Sequence, residues 1–147
     1  MDQIIREFRD HHYKMTPQRR VIIEIVTQCT SLHPTAEQIH ERVIEQMPDV
    51  SLATVYNTLA KLVEIGQVHE LNLGQNTRRY DLARHEHIHV VCLGCHKIKD
   101  EMTDLDRLKR LLHSDNGFQA LRHDVTVYGY CEDCVREGKA PLLTQKE

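Results

Sequence analysis

Four cysteines in the second half of the chain are arranged as two Cys-x-x-Cys pairs. The pairs are Cys92 with Cys95 and Cys131 with Cys134, and 35 residues separate them. The two intervening residues of each pair let both sulfurs face one ion, and two such pairs supply the four thiolates of a tetrahedral zinc site. The long separation predicts that the pairs cap two hairpins that are distant in sequence and adjacent in space. Two disulfides or a redox-active dithiol are the alternatives.

Histidines are concentrated just before the first cysteine pair. The chain has 11, and four of them lie within twelve residues: His85, His87, His89 and His96. On a strand, residues i and i+2 share a face, so His87 and His89 can bind the same ion. Asp81 and Asp100 offer oxygen donors near by, and a set of imidazoles and carboxylates suits Mn²⁺ or Fe²⁺ better than the all-sulfur site does. A surface histidine cluster without a metal is the alternative.

The elements that position these residues begin with a helical half. Apolar residues recur at helical spacing, and three helix starts carry capping residues: Thr16 before Pro17, Thr35 with Gln38, and Ser51. Residues 71–73 and 78–82 alternate in polarity around a Gly-Gln-Asn turn, which is typical of a two-stranded hairpin. Helices followed by such a hairpin predict a winged helix-turn-helix domain at residues 1–82.

Residues 83–147 predict a small α/β domain, so the chain as a whole belongs to the α+β class. Residues 87–91 and 97–100 are strand-like, Thr103 begins a predicted helix, and a long alternating stretch runs from Phe118 to Tyr130. A domain of this size has a thin core. We therefore expect the zinc ion to help hold it together.

Composition and charge describe an ordinary globular protein with 40% hydrophobic and 28% charged residues. The first residues carry charge where a signal peptide is apolar, which predicts a cytoplasmic protein without a membrane partner. Disulfides are disfavoured in that compartment. Residues 1–82 hold nine Lys/Arg and eleven Asp/Glu, so any binding to DNA must depend on the local placement of cations.

The helix that begins near Ser51 is the candidate recognition helix of the winged domain. Its solvent side presents polar side chains that can reach base edges and phosphates: Ser51, Thr54, Tyr56, Asn57 and Lys61. Three cations near the start of the second helix lie where DNA phosphates would pass: Lys14, Arg19 and Arg20. The alternative is that these residues form an ordinary solvated helix face.

Several of these motifs occur together in the order of a known family. They are His33-Pro34-Thr35-Ala36, the run from Ser51 to Leu59, Arg79-Tyr80-Asp81, the run from His87 to Cys95, and the run from Tyr128 to Cys134. Over nearly the whole chain the sequence resembles the ferric uptake regulator family. The resemblance implies a dimeric, metal-responsive repressor with a C-terminal dimerisation domain rather than an enzyme. It also implies structural zinc at the four paired cysteines and a regulatory ion at His33, Asp81, His87, His89 and Asp100.

Aspartates at positions 81 and 100 resemble the peroxide-responsive branch, since iron-sensing members tend to have glutamate there. The resemblance then implies a homodimer that binds palindromic AT-rich operator DNA and is released when peroxide and bound iron oxidise His33 or His87. We expect the regulatory ion, Fe²⁺ or Mn²⁺, to join the two domains as a clamp. An iron-responsive repressor, a non-haem iron enzyme, and a zinc module with a protein-binding winged helix are the alternatives.

Overall fold

The computed structural model of the chain describes residues 1–29, 33–72, 78–82, 87–102, 106, 110 and 125–141. The chain forms two compact units, Met1–Arg84 and His85–Glu147. The division falls two residues after the boundary that the sequence predicts between residues 82 and 83. The roles of the two units as DNA-binding and dimerisation domains remain predictions.

Four helices make up most of the N-terminal unit: α1 (Asp2–Asp10), α2 (Pro17–Gln28), α3 (Ala36–Gln46) and α4 (Leu52–Glu64). The predicted caps are all present. The Thr16 hydroxyl accepts a hydrogen bond from the Arg19 N–H, Thr35 and Gln38 form a reciprocal capping box, and the Ser51 hydroxyl accepts from the Thr54 N–H. None of the helices within the described residues has the length and apolarity needed to cross a membrane.

A two-stranded antiparallel hairpin completes the N-terminal unit. Strand β1 (Val68–Asn72) pairs with β2 (Arg78–Leu82), with Val68 opposite Leu82 and His69 opposite Asp81. Apolar side chains from all four helices and from both strands form one buried core, in which Phe8 is fully buried. Burial of this apolar surface is the main force that holds the helices to the hairpin. The predicted winged helix-turn-helix is confirmed.

The C-terminal unit contains a three-stranded sheet with β3 at its centre. Strand β3 (Ile88–Cys92) pairs antiparallel with β4 (Ile98–Glu101) and parallel with β5 (Val125–Gly129), and the short helix α5 (Glu132–Arg136) follows. Of the helix predicted after Thr103, only Asp106 and Arg110 are described, and both are helical; Thr103 itself and residues 118–124 of the alternating stretch lie outside the described residues. The predicted α+β class is confirmed.

One prediction about the cysteine pairs is wrong. The first pair lies in the β3–β4 hairpin, with Cys92 at the end of β3 and Cys95 in the turn, but the second pair does not lie in a hairpin. Cys131 is the N-cap of α5 and Cys134 lies in its first turn. The Cys-x-x-Cys spacing does not distinguish the two cases, because residues three apart also face the same side of a helix.

Candidate metal centres

The two cysteine pairs converge in the C-terminal unit. All five cysteines of the chain are free thiols, and the sulfurs of the four paired ones lie within 4.8 Å of one another. Cys95 Sγ and Cys131 Sγ are 3.7 Å apart. Sulfurs bonded at about 2.3 Å to one tetrahedral zinc ion would lie about 3.8 Å apart, whereas a disulfide needs about 2.05 Å. The spacing therefore fits a zinc site and does not fit disulfides.

The electrostatics of the cysteine cluster also favour a cation. The Cys131 N–H donates to Cys92 Sγ at 3.2 Å, and this bond is the largest of several hydrogen bonds that lower the pKa of Cys92 to about 5. Burial raises the pKa of Cys134 to about 12, because the thiolate would lose its hydration. Four thiolates at this spacing repel one another unless a positive ion lies between them, and a coordinating divalent metal deprotonates the remaining thiols.

A second group of donors lies on the sheet of the same unit. His87 Nε2 and His89 Nε2 are 3.0 Å apart. Asp100 Oδ1 lies 3.6 Å from the first nitrogen and 3.9 Å from the second. Nitrogens bonded at about 2.1 Å to one ion, with the bonds near a right angle, would also be about 3 Å apart. Two imidazoles and a carboxylate at these distances fit a single divalent ion such as Mn²⁺ or Fe²⁺.

The pairing of β3 with β4 positions this group. His87 precedes β3 and His89 lies within it, so the predicted i, i+2 arrangement puts both rings on one face. The register places Asp100 of β4 directly opposite His89. His89 is buried, His87 is half-buried and Asp100 is exposed at the edge. Because the pairing of β3 with β4 fixes both backbones, the imidazoles and the carboxylate are held close together without an ion.

The two remaining candidate ligands belong to the N-terminal unit and are almost fully buried. His33 is 1% exposed and Asp81 is 3% exposed. The Arg79 guanidinium donates to the His33 carbonyl at 2.9 Å, and the Tyr80 N–H donates to the Pro34 carbonyl at 3.0 Å. These bonds hold the segment before α3 against β2. Asp81 is the residue that follows Tyr80 in that strand. Their service as ligands of the regulatory ion remains a prediction.

Three of the candidate DNA-binding residues of α4 already have partners within the N-terminal unit. Ser51 caps the helix, and its hydroxyl lies 2.9 Å from Thr54 Oγ1. Tyr56 Oη donates to Glu37 Oε1 of α3 at 2.6 Å. This bond lowers the pKa of Glu37 and raises that of Tyr56. The sequence reasoning missed the contact, since nothing in the spacing of residues 37 and 56 indicates it.

The candidate cations fall into two groups. Lys14 and Arg20 are exposed, as is the amide of Asn57. Arg19 lies 5.6 Å from the ring centre of Phe8, and Lys61 Nζ lies 4.0 Å from the ring centre of Tyr13. A cation over an aromatic ring is attracted by the ring's negative face. Arg19 of α2 therefore contacts α1, and Lys61 of α4 contacts the segment between α1 and α2. Lys14 and Arg20 are exposed to solvent.

Comparison with known proteins agrees with this architecture. Residues 10–128 match the model of the ferric uptake regulator family. The chain is 34% identical over 135 residues to the peroxide-responsive repressor PerR of Staphylococcus saprophyticus, covering 91% of this chain and 90% of that protein.

Solved structures show the same likeness. The peroxide stress regulator of Campylobacter jejuni is similar with a TM-score of 0.73 and 31% identity, covering 88% of this chain and 98% of that one. The ferric uptake regulator of Pseudomonas aeruginosa with manganese has a TM-score of 0.77 and 26% identity, covering 86% of this chain and 96% of that one.

Proposed function

Because this chain belongs to the ferric uptake regulator family, we propose that it is a metal-dependent transcriptional repressor that senses peroxide. It binds palindromic AT-rich operator DNA as a homodimer. The cluster of four cysteines holds structural zinc, and the histidine and aspartate donors hold regulatory Fe²⁺ or Mn²⁺. The peroxide response is supported by the likeness to peroxide-responsive relatives.

The observation that carries the proposal is the convergence of His87, His89 and Asp100. Three donors lie within 4 Å of one another on paired strands, and their nitrogen and oxygen atoms can all face one divalent ion. The donor types differ from those of the cysteine cluster. The two sites therefore select different metals, the soft sulfurs taking zinc and the mixed set taking manganese or iron.

The regulatory ion acts as a clamp between the two units. In this proposal His33 and Asp81 of the N-terminal unit complete the coordination begun by the three donors of the C-terminal unit. Binding of the ion then restricts the orientation of α4 and sets the separation of the two recognition helices in the dimer. By linkage, the ion raises the affinity for DNA as much as DNA raises the affinity for the ion.

Oxidation of one ligand releases the clamp. When bound, ferrous iron would act as a one-electron catalyst for cleavage of the O–O bond of hydrogen peroxide: it would give one electron to the peroxide and regain one from the oxidised ring. One peroxide oxygen becomes bonded to a ring carbon of His33 or His87 and the other leaves as water, so the imidazole is oxidised by two electrons. The modified ring is a poorer ligand. Mn²⁺ in the same site supports DNA binding without this reaction.

Operator binding tests the proposal. Zinc-containing protein is titrated onto an AT-rich palindromic duplex with no added metal, with Mn²⁺ and with Fe²⁺, before and after hydrogen peroxide, and its peptides are weighed by mass spectrometry. We expect both metals to strengthen binding and peroxide to abolish only the ferrous effect, adding one oxygen atom to a peptide with His33 or His87. His89→Ala should lose the response to metal, whereas the exposed control His11→Ala should keep it.

Two outcomes would contradict the proposed mechanism and favour a different one. Unmodified histidines together with oxidised Cys92 or Cys131 would indicate thiol sensing instead. DNA binding that follows iron supply and ignores peroxide would indicate an iron-responsive repressor, which the similarity to the Pseudomonas aeruginosa regulator favours.

A non-haem iron enzyme is the candidate from another class. The set of His87, His89 and Asp100 matches the two-histidine, one-carboxylate pattern of iron oxygenases. The winged helix and the regulator relatives favour a repressor. Turnover of an oxidisable substrate by the ferrous protein, without metal-dependent DNA binding, would favour the enzyme.

A further inference from the structure

His33 has a backbone conformation that is uncommon for its residue type and position. Its φ is +44°, in the left-handed region that residues other than glycine seldom adopt. The next residue is Pro34, whose ring further restricts the backbone of the residue before it. Such conformations persist only where surrounding contacts hold them. The contacts that hold His33 therefore bear on what its imidazole can reach.

Two hydrogen bonds from β2 hold this segment. Arg79 Nη1 donates to the His33 carbonyl at 2.9 Å, from 46 residues further along the chain. The Tyr80 N–H donates to the Pro34 carbonyl at 3.0 Å. Two adjacent residues of β2 therefore donate to the carbonyls of the adjacent residues His33 and Pro34. The guanidinium group carries only N–H donors and no acceptor, so Arg79 can bind this carbonyl only as a donor.

Arg79 differs from the neighbouring arginine of the same strand. Arg78 is 65% exposed and pairs with Glu70 across the hairpin at 3.4 Å. Arg79 is half-buried and directed at His33. Successive residues of a strand face opposite sides, so Arg79 shares its face with Asp81. One face of β2 thus carries a candidate metal ligand and the side chain that holds another.

We propose that Arg79 is a positioning residue for the regulatory metal site, holding His33 in the backbone conformation from which its imidazole reaches the ion. The inference rests on the proposed function, in which His33 and Asp81 are ligands. Metal–ligand distances vary by only about 0.2 Å in working sites, so a ligand on a displaced backbone is lost. Groups that orient ligands without touching the metal typically contribute roughly 10- to 100-fold in affinity.

Manganese binding to matched arginine variants tests the inference. Mn²⁺ affinity is measured by calorimetry on zinc-containing wild type, Arg79→Ala, Arg79→Gln, Arg78→Ala and His33→Ala. We expect both changes at Arg79 to weaken Mn²⁺ binding about 10- to 100-fold. The control Arg78→Ala removes the same charge from the same strand and should bind as the wild type does. Zinc content and the thermal unfolding midpoint identify any variant that fails to fold.

A spectroscopic measurement separates positioning from a general loss of structure. Co²⁺ in the regulatory site has visible bands that depend on the number and type of its ligands. At saturating Co²⁺, the spectrum of Arg79→Ala should resemble that of His33→Ala rather than that of the wild type, because both variants lose the same imidazole. A wild-type cobalt spectrum in both Arg79 variants would overturn the inference.

The outcomes distinguish this inference from the function on which it rests. If His33→Ala weakens Mn²⁺ binding while both Arg79 variants bind as the wild type does, the ligand assignment stands and Arg79 has no positioning role. If His33→Ala itself binds Mn²⁺ with wild-type affinity, the proposed regulatory ligand set is wrong, and the inference falls with it. Arg79 variants that lose operator affinity at unchanged Mn²⁺ affinity would make Arg79 a DNA contact instead.

Discussion

Tyr56 illustrates how a single contact changes the role that a residue can have. On the sequence alone it is one of several polar residues on the candidate recognition helix. In the structure its hydroxyl donates to the Glu37 carboxylate at 2.6 Å, which joins α4 to the first turn of α3. Hydrogen bonds to an ionised acceptor are stronger than those between neutral groups. The ring of Tyr56 is thus held in one direction on the helix face proposed to meet DNA.

Titration of Glu37 tests this contact at the residue scale. The Tyr56 bond is the largest cause that lowers the pKa of Glu37. Because the pKa is lower in the folded state, the bond contributes stability above the ordinary glutamate pKa and loses it as the pH falls through the lowered value. Carboxyl NMR shifts should therefore show the pKa of Glu37 rising toward its ordinary value in Tyr56→Phe. The control Tyr128→Phe, at an exposed tyrosine of the other unit, should leave it unchanged.

At the scale of elements, local rules predict the N-terminal helices well. The caps at Thr16, Thr35 and Ser51 depend on residues three apart, so the sequence contains all the information needed to find them. The shared face of His87 and His89 follows from strand periodicity in the same way.

Contacts between distant segments could not be predicted in this way. The parallel pairing of β3 with β5 joins strands that are far apart in the sequence. The position of Cys131 at a helix start could not be predicted either, because a Cys-x-x-Cys pair has the same spacing in a helix start as in a hairpin turn. The bonds of Arg79 to His33 and of Tyr56 to Glu37 join residues that no periodic pattern relates. The missed contacts are thus the ones that orient the candidate site residues.

The turn that carries the first cysteine pair offers a test at this scale. A Cβ added at Gly94 would lie 2.7 Å from Cys134 Sγ and 3.0 Å from Cys134 Cβ. Gly94→Ala must therefore move the turn or the cysteine, and we expect zinc to be lost to a chelator roughly tenfold faster. At Gly129, the matched control on β5, an added Cβ meets nothing within 4 Å. Equal rates of zinc loss from Gly94→Ala and Gly129→Ala would contradict the packing argument.

At the scale of the whole molecule, the two units differ in what stabilises them. The N-terminal unit buries apolar residues from four helices and a hairpin in one core. Among the described residues of the C-terminal unit, the buried apolar ones are Val91 and two zinc-site cysteines, Cys92 and Cys134. Structural zinc contributes about 10–16 kcal/mol of apparent binding free energy in small domains. Because four converging thiolates tie the β3–β4 hairpin to α5, we expect the C-terminal unit to depend on zinc, whereas the N-terminal unit has an apolar core and no such site among its described residues.

Removal of zinc should therefore unfold one unit and spare the other. After chelation under reducing conditions, we expect backbone amides of β3, β4 and β5 to exchange rapidly with deuterium, while those of α2 and α4 keep their protection. Hydrogen exchange with mass spectrometry reports both units in one experiment. Retained protection of β3 in zinc-free protein would show that the apolar core of that unit is sufficient alone.

The central claim is that one regulatory ion, held by ligands from both units, controls DNA binding. It is tested most directly by the Mn²⁺-dependent gain in operator affinity of zinc-containing His33→Ala and His89→Ala, compared with the wild type. The clamp requires ligands from each unit, so the account predicts that either substitution alone removes most of the gain. Full retention of the gain in His33→Ala, with its loss in His89→Ala, would confine the regulatory site to the C-terminal unit and contradict the clamp.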